Sequence, residues 1–215
     1  MTRALLAELI GTLFLVTCGI GTGIMATELA GGNVALALLA NAIATGLVLY
    51  LLITIFAPLS GAHFNPAVTL FFLFGGELSP GRALAYLGAQ LAGALLAVAL
   101  THLMFDLPLL QLARTERGGS PLWLSEAVAV FGLMMVIAGG QRHAVGQVPA
   151  LVAAWIAAAY WFTGSTCFAN PAVTLARVFT DSFTGIRYQD APAFMLAQLA
   201  GMAIAALTLP RLFSK

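Results

Sequence analysis

The string Asn65-Pro66-Ala67-Val68-Thr69-Leu70 occurs a second time in this chain of 215 residues, as Asn170-Pro171-Ala172-Val173-Thr174-Leu175. In each copy the proline suits the first position of a helix, because its φ is already fixed there and its missing N–H is not needed. The asparagine before it is a favoured helix cap. The apolar stretch that the first copy starts, residues 67–74, is too short for a bilayer crossing of about 20 residues. Both copies therefore predict half-helices that begin at the motif.

The composition is that of a membrane protein. Hydrophobic residues make up 61% and charged residues 8% of the sequence, against roughly a quarter charged in a soluble domain. Six apolar stretches, the fifth of them short, can cross a bilayer as helices: residues 5–25, 34–56, 83–104, 123–138, 149–162 and 193–209. The first could be a signal peptide, but its length and the five stretches after it favour an uncleaved helix. We expect an all-α membrane protein with six transmembrane helices and two re-entrant half-helices.

Charge and cysteine content exclude several classes of partner. The net charge of +1 provides no basic face, so no nucleic-acid partner is expected. Cys18 and Cys167 lie in apolar surroundings, which disfavours a disulfide framework or a metal site. We expect no cofactor and no enzymatic activity, because no nucleophile, base and orienting group cluster together in the sequence.

Three landmarks recur in the same order, which indicates an internal repeat. Glu8 and Glu126 stand in the first helix of each half, the Asn-Pro-Ala motifs follow, and Ala-Gln-Leu-Ala-Gly recurs at residues 89–93 and 197–201. Because each half has three spans, the second half must be inverted relative to the first. We expect one channel-forming domain over residues 1–215. Its parts are a repeat at about residues 1–105, a linking loop at about 106–121 and a repeat at about 122–215.

Small residues at four-residue spacing predict close packing of helices in lipid, where no hydrophobic force drives helix association. Such stripes occupy the third and sixth spans. Their members are Ala85, Ala89, Gly93 and Ala97, and Ala197, Gly201 and Ala205. We expect these stripes to mark helix contacts and not a binding site.

The orientation in the membrane follows from the arginine and lysine residues near the span ends. With the amino terminus inside, five lie on the cytoplasmic side and four lie outside. The inner set is Arg3, Arg82, Arg142, Arg211 and Lys215, and the outer set is Arg114, Arg117, Arg177 and Arg187. Because six spans return the chain to its starting side, both termini are expected in the cytoplasm, with the protein in the inner or plasma membrane.

Non-helical backbone leads into each motif, over residues 60–64 and 164–169. At membrane depth such backbone is tolerated only where it is buried in protein or lines a water-filled cavity. Inverted symmetry then brings the two half-helix starts together at the midplane, each with about half a positive charge from its aligned peptides. We expect this junction to repel cations. The Asn65 and Asn170 amides are expected to donate hydrogen bonds into the lumen and so to disfavour a proton wire.

The ten residues that lead through the first motif read Ser60-Gly61-Ala62-His63-Phe64-Asn65-Pro66-Ala67-Val68-Thr69. This string resembles the first signature of the aquaporin, or major intrinsic protein, family, and the resemblance covers essentially the whole chain. It implies a homotetramer with one pore per subunit and passive permeation of water and small neutral solutes across the lipid bilayer. The pore motifs are then Asn65, Pro66 and Ala67, with Asn170, Pro171 and Ala172. Glu8 and Glu126 match the buried glutamates of the family, which hold the re-entrant loops through hydrogen bonds to backbone.

In the family, four side chains form an outer constriction: one each on the second and fifth helices and two around the second motif. The usual arginine follows the second asparagine by three positions, where this chain has Val173. The resemblance thus implies a selectivity filter of Thr45, Ala158, Cys167 and Val173 that is wide and uncharged. Arg177 lies one helical turn, about 6 Å, further outward and is assigned to an outer vestibule. The alternative is that Arg177 itself takes the place of the filter arginine.

The second motif with its flanks and the run Ala-Gly-Gly-Asn-Val-Ala-Leu-Ala at residues 30–37 resemble bacterial aquaglyceroporins associated with arsenic resistance. This resemblance implies that glycerol-like polyols, arsenious acid and methylated arsenicals pass together with water. A strict water channel with Arg177 as filter is one alternative. The other is a coupled secondary transporter, because glutamates at membrane depth often mark an ion path. The matched placement of Glu8 and Glu126 favours a scaffolding role instead.

Overall fold

The computed structural model describes residues 2–213, and the regular structure in this part of the chain is all helical. The helices are α1 (Thr2–Leu29), α2 (Val34–Ser60), α3 (Pro66–Phe74), α4 (Pro80–Met104), α5 (Ser120–His143), α6 (Val148–Phe162), α7 (Pro171–Arg177) and α8 (Ala191–Leu212). All six predicted spans are confirmed, and they lie within α1, α2, α4, α5, α6 and α8. A 3-10 turn, Val145–Gln147, precedes α6 and brings the short fifth span to 18 residues. Lys215, assigned above to the cytoplasmic side, lies outside the described residues.

Local sequence signals explain where several helices begin and end. The side chains of Asn33 and Ser79 cap α2 and α4 by accepting hydrogen bonds from backbone N–H groups of the first turn. Proline occupies the first or second position of α3, α4, α5, α6, α7 and α8. Helix α2 ends at Gly61, whose φ of +89° is the left-handed conformation that closes many helices.

Both half-helices begin at their motifs, as predicted. The side-chain oxygen of Asn65 accepts a hydrogen bond from the backbone N–H of Ala67 at 2.9 Å. The side-chain oxygen of Asn170 accepts from Ala172 N at 2.9 Å and from Val173 N at 3.3 Å. The two caps have nearly the same backbone angles, φ −154° and −158°, so the identical sequences form the same local structure.

The two halves pack their spans in the same way. Helix α1 lies against α2 and α4, and α5 lies against α6 and α8. Gly93 of α4 lets that helix approach α1 closely, since a Cβ atom there would lie 2.3 Å from the carbonyl oxygen of Leu9. Gly201 does the same in α8, where a Cβ atom would lie 2.2 Å from the carbonyl oxygen of Ala127. These two glycines belong to the predicted stripes and mark backbone-to-backbone contacts.

A non-helical segment between α4 and α5, residues 105–119, joins the halves and runs beside residues 178–190. Backbone hydrogen bonds connect the two, from Ala113 N to Val178 O and from Arg187 N to Thr115 O, both at 2.9 Å. Ion pairs add to them: Arg114 with Asp181, and Arg187 with both Glu116 and Asp190. Hydrogen bonds from Arg114 lower the pKa of Asp181 below its usual value. The connection between the halves is therefore a fixed strap across one end of the bundle.

We expect Gly93→Ala to destabilise the protein by about 1–3 kcal/mol, the usual cost of overpacking a tight contact. A methyl group at this position must push α4 away from the backbone of α1. Gly88→Ala is the matched control, because a Cβ atom at Gly88 of the same helix meets no other atom within 4 Å in residues 2–213. Melting temperatures of the purified variants in detergent measure the difference, and equal values for the two would contradict the packing described here.

Candidate pore and its constriction

A cavity runs through the middle of the helix bundle and is lined from both halves, with Asn65 and Asn170 in its wall. The volume that the centres of water molecules can occupy is about 100 Å³. One water needs roughly 10–15 Å³ on the same measure. The cavity therefore has room for a short file of water molecules.

Two reciprocal hydrogen bonds join the halves where the half-helices meet. The side-chain amide of Asn65 donates to the carbonyl oxygen of Ala169, and that of Asn170 donates to the carbonyl oxygen of Phe64, both at 2.8 Å. Each side-chain oxygen is already used to cap its own half-helix. Because an amide group has two donor hydrogens, each asparagine keeps one for the cavity that it lines.

Two buried glutamates hold the loops that lead into the motifs. Glu8 accepts hydrogen bonds from the backbone N–H groups of His63 and Phe64, at 2.9 and 2.7 Å. Glu126 accepts from the N–H groups of Phe168 and Ala169, at 2.9 and 2.8 Å. Both carboxylates are fully buried. Within residues 2–213 neither belongs to the wall of the cavity, so their position is that of a scaffold beside the lumen.

A glutamine and a threonine complete each network, and sequence reasoning missed their role. The amide nitrogen of Gln90 donates to Glu8 at 2.8 Å and to the Thr69 hydroxyl at 2.9 Å. In the second half Gln198 donates to Glu126 at 2.6 Å and to Thr174 at 2.8 Å. The signal was present in the repeated Ala-Gln-Leu-Ala-Gly string and in the threonine of each motif. These residues tie the half-helices to the third span of each half.

The loops adopt a backbone conformation that non-glycine residues seldom take. Phe64 and Ala169, each just before its asparagine, have a φ of +48°, and Ala62 and Cys167 have φ values of +53° and +52°. Such residues cost of the order of 1–3 kcal/mol each and persist only where surrounding contacts fix them. Here the glutamates and the reciprocal asparagine bonds supply those contacts.

Three of the four predicted filter residues lie together, and the fourth prediction is wrong. Thr45, Cys167 and Val173 are buried and line the cavity. Ala158 is exposed, whereas Ile156 and Tyr160 of α6 line the cavity, and the Tyr160 hydroxyl hydrogen bonds to that of Thr45 at 3.1 Å. Since successive helical residues turn by about 100°, an error of two positions moves a side chain to the opposite face. A tyrosine, and not an alanine, therefore stands beside Thr45.

Arg177, for which the sequence predicted an outer vestibule, lies in the wall of the same cavity as Val173. Its side chain is buried, lines the same cavity and donates from Nη2 to the Tyr160 hydroxyl at 3.4 Å. That hydroxyl shares a 3.1 Å hydrogen bond with the Thr45 hydroxyl. Helical side chains lean toward the helix amino terminus, and the amino terminus of α7 is at the junction of the half-helices. The guanidinium therefore reaches back over the turn that separates Arg177 from Val173.

Aromatic rings surround this guanidinium. Its central carbon lies 4.2 Å from the centroid of the Phe168 ring, within the range of a cation–π contact. Phe168 in turn packs edge-on against Phe194 at 5.3 Å. The Nε atom of Arg177 is buried without a hydrogen-bond partner among the described residues. The arginine is therefore held mainly by the ring and by one long hydrogen bond.

The cysteines and His63 are the remaining candidate groups near the cavity. Cys18 and Cys167 are free thiols in the described part of the chain. His63 lines the cavity, hydrogen bonds to Thr69 at 3.1 Å and stacks on Phe72 at 4.8 Å. Over residues 2–213 no group of three His, Cys, Asp or Glu side chains is placed to hold a metal ion.

Comparisons with known proteins agree with this geometry. The sequence profile of the major intrinsic protein family matches residues 1–141. Aquaglyceroporin AqpS of Rhizobium meliloti (strain 1021) is 54% identical over 211 residues, which cover 98% of this chain and 90% of that protein. Aquaporin TIP1-2 of Zea mays is 29% identical over 222 residues, covering 98% and 86%. The solved aquaglyceroporin of Plasmodium falciparum has the same fold, with a TM-score of 0.79, 18% identity and coverage of 99% and 97%.

In residues 2–213, six helices that can span a membrane surround a cavity with room for a short file of water molecules. Two half-helices meet inside this cavity. These features define a multi-span membrane channel. The chain belongs to the major intrinsic protein family.

We expect mercurials to block flux by reacting with Cys167, because this residue lies in the wall of the cavity. Cys167→Ser should abolish the block and retain water flux in proteoliposomes. Cys18→Ser is the matched control, since Cys18 is half-buried on α1 and its thiol contacts Thr22. Block that survives Cys167→Ser and disappears in Cys18→Ser would show that the thiol in the conducting path is the other one.

Proposed function

We propose that this protein passively conducts water and glycerol-sized neutral solutes through the cavity of each subunit. The observation that carries the proposal is the pair of reciprocal hydrogen bonds between Asn65, Asn170 and the opposing loops. They bring two half-helix amino termini to one point of the lumen, where both positive dipole ends face the permeating molecule. Neutral hydroxyl compounds can accept hydrogen bonds there, whereas cations meet repulsion.

The constriction that we propose combines Thr45, Tyr160, Cys167, Val173 and Arg177. On one side the valine and the thiol are apolar or weakly polar, and on the other side hydroxyl and guanidinium groups can donate hydrogen bonds. Pockets that are mostly apolar with a few placed polar groups orient small ligands. A polyol with a carbon backbone and hydroxyl groups suits such a wall. We therefore place the filter arginine of this channel at Arg177 and not at position 173.

The relatives support the solute range. The 54% identical protein from Rhizobium meliloti is named an aquaglyceroporin, and we extend conduction of water and glycerol to this chain. Arsenious acid is a neutral hydroxide of polyol size, so the same wall could accept it and its methylated forms. We propose arsenicals as further substrates on that chemical ground.

Two alternative functions can be compared with the proposed one on the basis of the same site. A strict water channel is favoured by the position of Arg177, whose guanidinium narrows the lumen beside Tyr160. A coupled transporter would use Glu8 and Glu126 to bind a cation. The hydrogen-bond donors that surround both carboxylates oppose that function.

We further propose that the chain is a homotetramer in the inner or plasma membrane, with both termini in the cytoplasm, and that it has no enzymatic activity. Large apolar side chains cover the outer faces of the spans, including Leu47, Leu51 and Ile55 on α2. Lipid or neighbouring subunits would cover such faces.

We expect proteoliposomes that contain the purified protein to show faster water flux and faster glycerol flux than empty liposomes, measured by stopped-flow light scattering. Both fluxes should run down the imposed gradient without any added ion gradient. Fast water flux with glycerol flux equal to that of empty liposomes would instead support the strict water channel. Flux that requires an ion gradient would support the coupled transporter.

We expect Arg177→Val to raise the ratio of glycerol to water permeability by roughly tenfold, which corresponds to about 1.4 kcal/mol in the barrier. The reason is that the guanidinium occupies the lumen beside Tyr160. Arg114→Val is the control, since Arg114 is exposed on the strap. If Arg177→Val leaves the ratio unchanged while Val173→Arg lowers it, Val173 forms the filter, as the sequence alone implied.

A further inference from the structure

A second arginine reaches toward the constriction from the strap that joins the two halves. The backbone N–H of Arg117 donates to the Asp190 carboxylate at 2.8 Å. Its side chain donates from Nε to the carbonyl oxygen of Gly185 at 2.8 Å and from Nη2 to that of Phe183 at 3.0 Å. The loop that follows α7 thus holds the guanidinium at two points and the backbone of Arg117 at a third.

Both guanidinium groups share one aromatic ring. The central carbon of Arg117 lies 5.1 Å from the centroid of Phe168, and that of Arg177 lies 4.2 Å from it. Burial, and after it the nearby charge of Arg177, lower the pKa of Arg117 to about 10. Arg117 therefore stays charged at neutral pH, and the two cations beside the Phe168 ring repel each other.

The two arginines differ in how firmly they are held. Arg117 has the two backbone carbonyls as acceptors, whereas Arg177 has one long hydrogen bond, 3.4 Å to Tyr160, and a buried Nε with no partner in residues 2–213. Weak anchoring leaves the position of Arg177 sensitive to its neighbours. The fixed charge of Arg117 occupies part of the space around Phe168 and so disfavours movement of Arg177 in that direction.

We propose that Arg117 is a positioning residue for the constriction: through the shared Phe168 ring and like-charge repulsion it keeps the Arg177 guanidinium against Tyr160. Arg117 then sets the size selectivity of the channel without lining the lumen. The inference rests on the proposed role of Arg177 as the filter arginine. It assigns to the strap a function beyond joining the two halves.

The direction of the effect follows from the charges. Without the cation at position 117, the Arg177 guanidinium can move over the vacated side of the Phe168 ring and away from Tyr160. The lumen beside Tyr160 then widens, which admits glycerol more readily than before while water, the smaller molecule, gains less. A lysine at position 117 keeps the repelling charge and should keep the selectivity.

The test compares Arg117→Gln, Arg117→Met and Arg117→Lys in proteoliposomes, with the ratio of glycerol to water permeability as the readout. Loss of folded channels lowers both fluxes together and leaves their ratio unchanged, so the ratio separates positioning from stability. We expect Arg117→Gln to raise the ratio by roughly three- to tenfold. Arg117→Lys should keep the ratio of the unmodified protein. Arg117→Met, which keeps most of the aliphatic length, should behave like Arg117→Gln and replaces it if that variant fails to fold.

Two controls make the outcomes decisive. Arg114→Gln removes a cation from the same strap at an exposed position paired with Asp181 and should leave the ratio unchanged. In an Arg177→Val background, Arg117→Gln should change the ratio no further, because coupled residues are not additive. An unchanged ratio in both neutral variants, or an equal rise in the Arg177→Val background, would overturn the inference. Absence of glycerol flux in the unmodified protein, or an unchanged ratio in Arg177→Val itself, would instead refute the proposed function.

Discussion

Unpaired backbone at the middle of a bilayer is the constraint on which the rest of this structure depends. Peptide groups that leave a helix in hydrocarbon must find partners inside the protein, since each unsatisfied group costs several kcal/mol. Glu8 and Glu126 supply the acceptors for two loop N–H groups each. Asn65 donates to the carbonyl oxygen of Ala169, and Asn170 donates to that of Phe64. Four side chains thus stabilise both breaks in the helical framework.

The same contacts create the chemistry of the pore. Because the loops are fixed by side chains from their own half and from the opposite half, the two half-helix starts cannot separate without leaving buried polar groups unpaired. Their positive ends therefore stay aimed at one point of the lumen. The outer constriction that we propose is built differently, from side chains on α2, α6 and α7 that meet through the Tyr160 hydroxyl. In the proposed channel, exclusion of cations and selection of solutes by size thus depend on separate parts of the molecule.

The sequence predicted the features that depend on local chemistry and repetition. The spans followed from apolar length, the half-helix starts from Asn-Pro, and the glutamates from their matched positions. It failed where a side chain's direction mattered. Ala158 was predicted from its spacing in the sequence. It lies two residues away from Tyr160, which lines the cavity, and so it is on the exposed face of α6. The position of Arg177 was predicted from the helical rise alone, which carries no information on the contact of its long side chain with Tyr160. Arg117 had no sequence signal, because its contact with Phe168 is between residues 51 positions apart.

The most direct test of this account is to measure water and proton permeability on the same proteoliposomes, with an entrapped pH-sensitive dye and imposed osmotic and pH gradients. We expect fast water flux with a proton leak equal to that of empty liposomes. The reason is that the paired dipole ends and the Asn65 and Asn170 amides break any continuous proton wire. A proton leak that rises with protein content in step with water flux would contradict it, because the junction of the half-helices would then not control what passes.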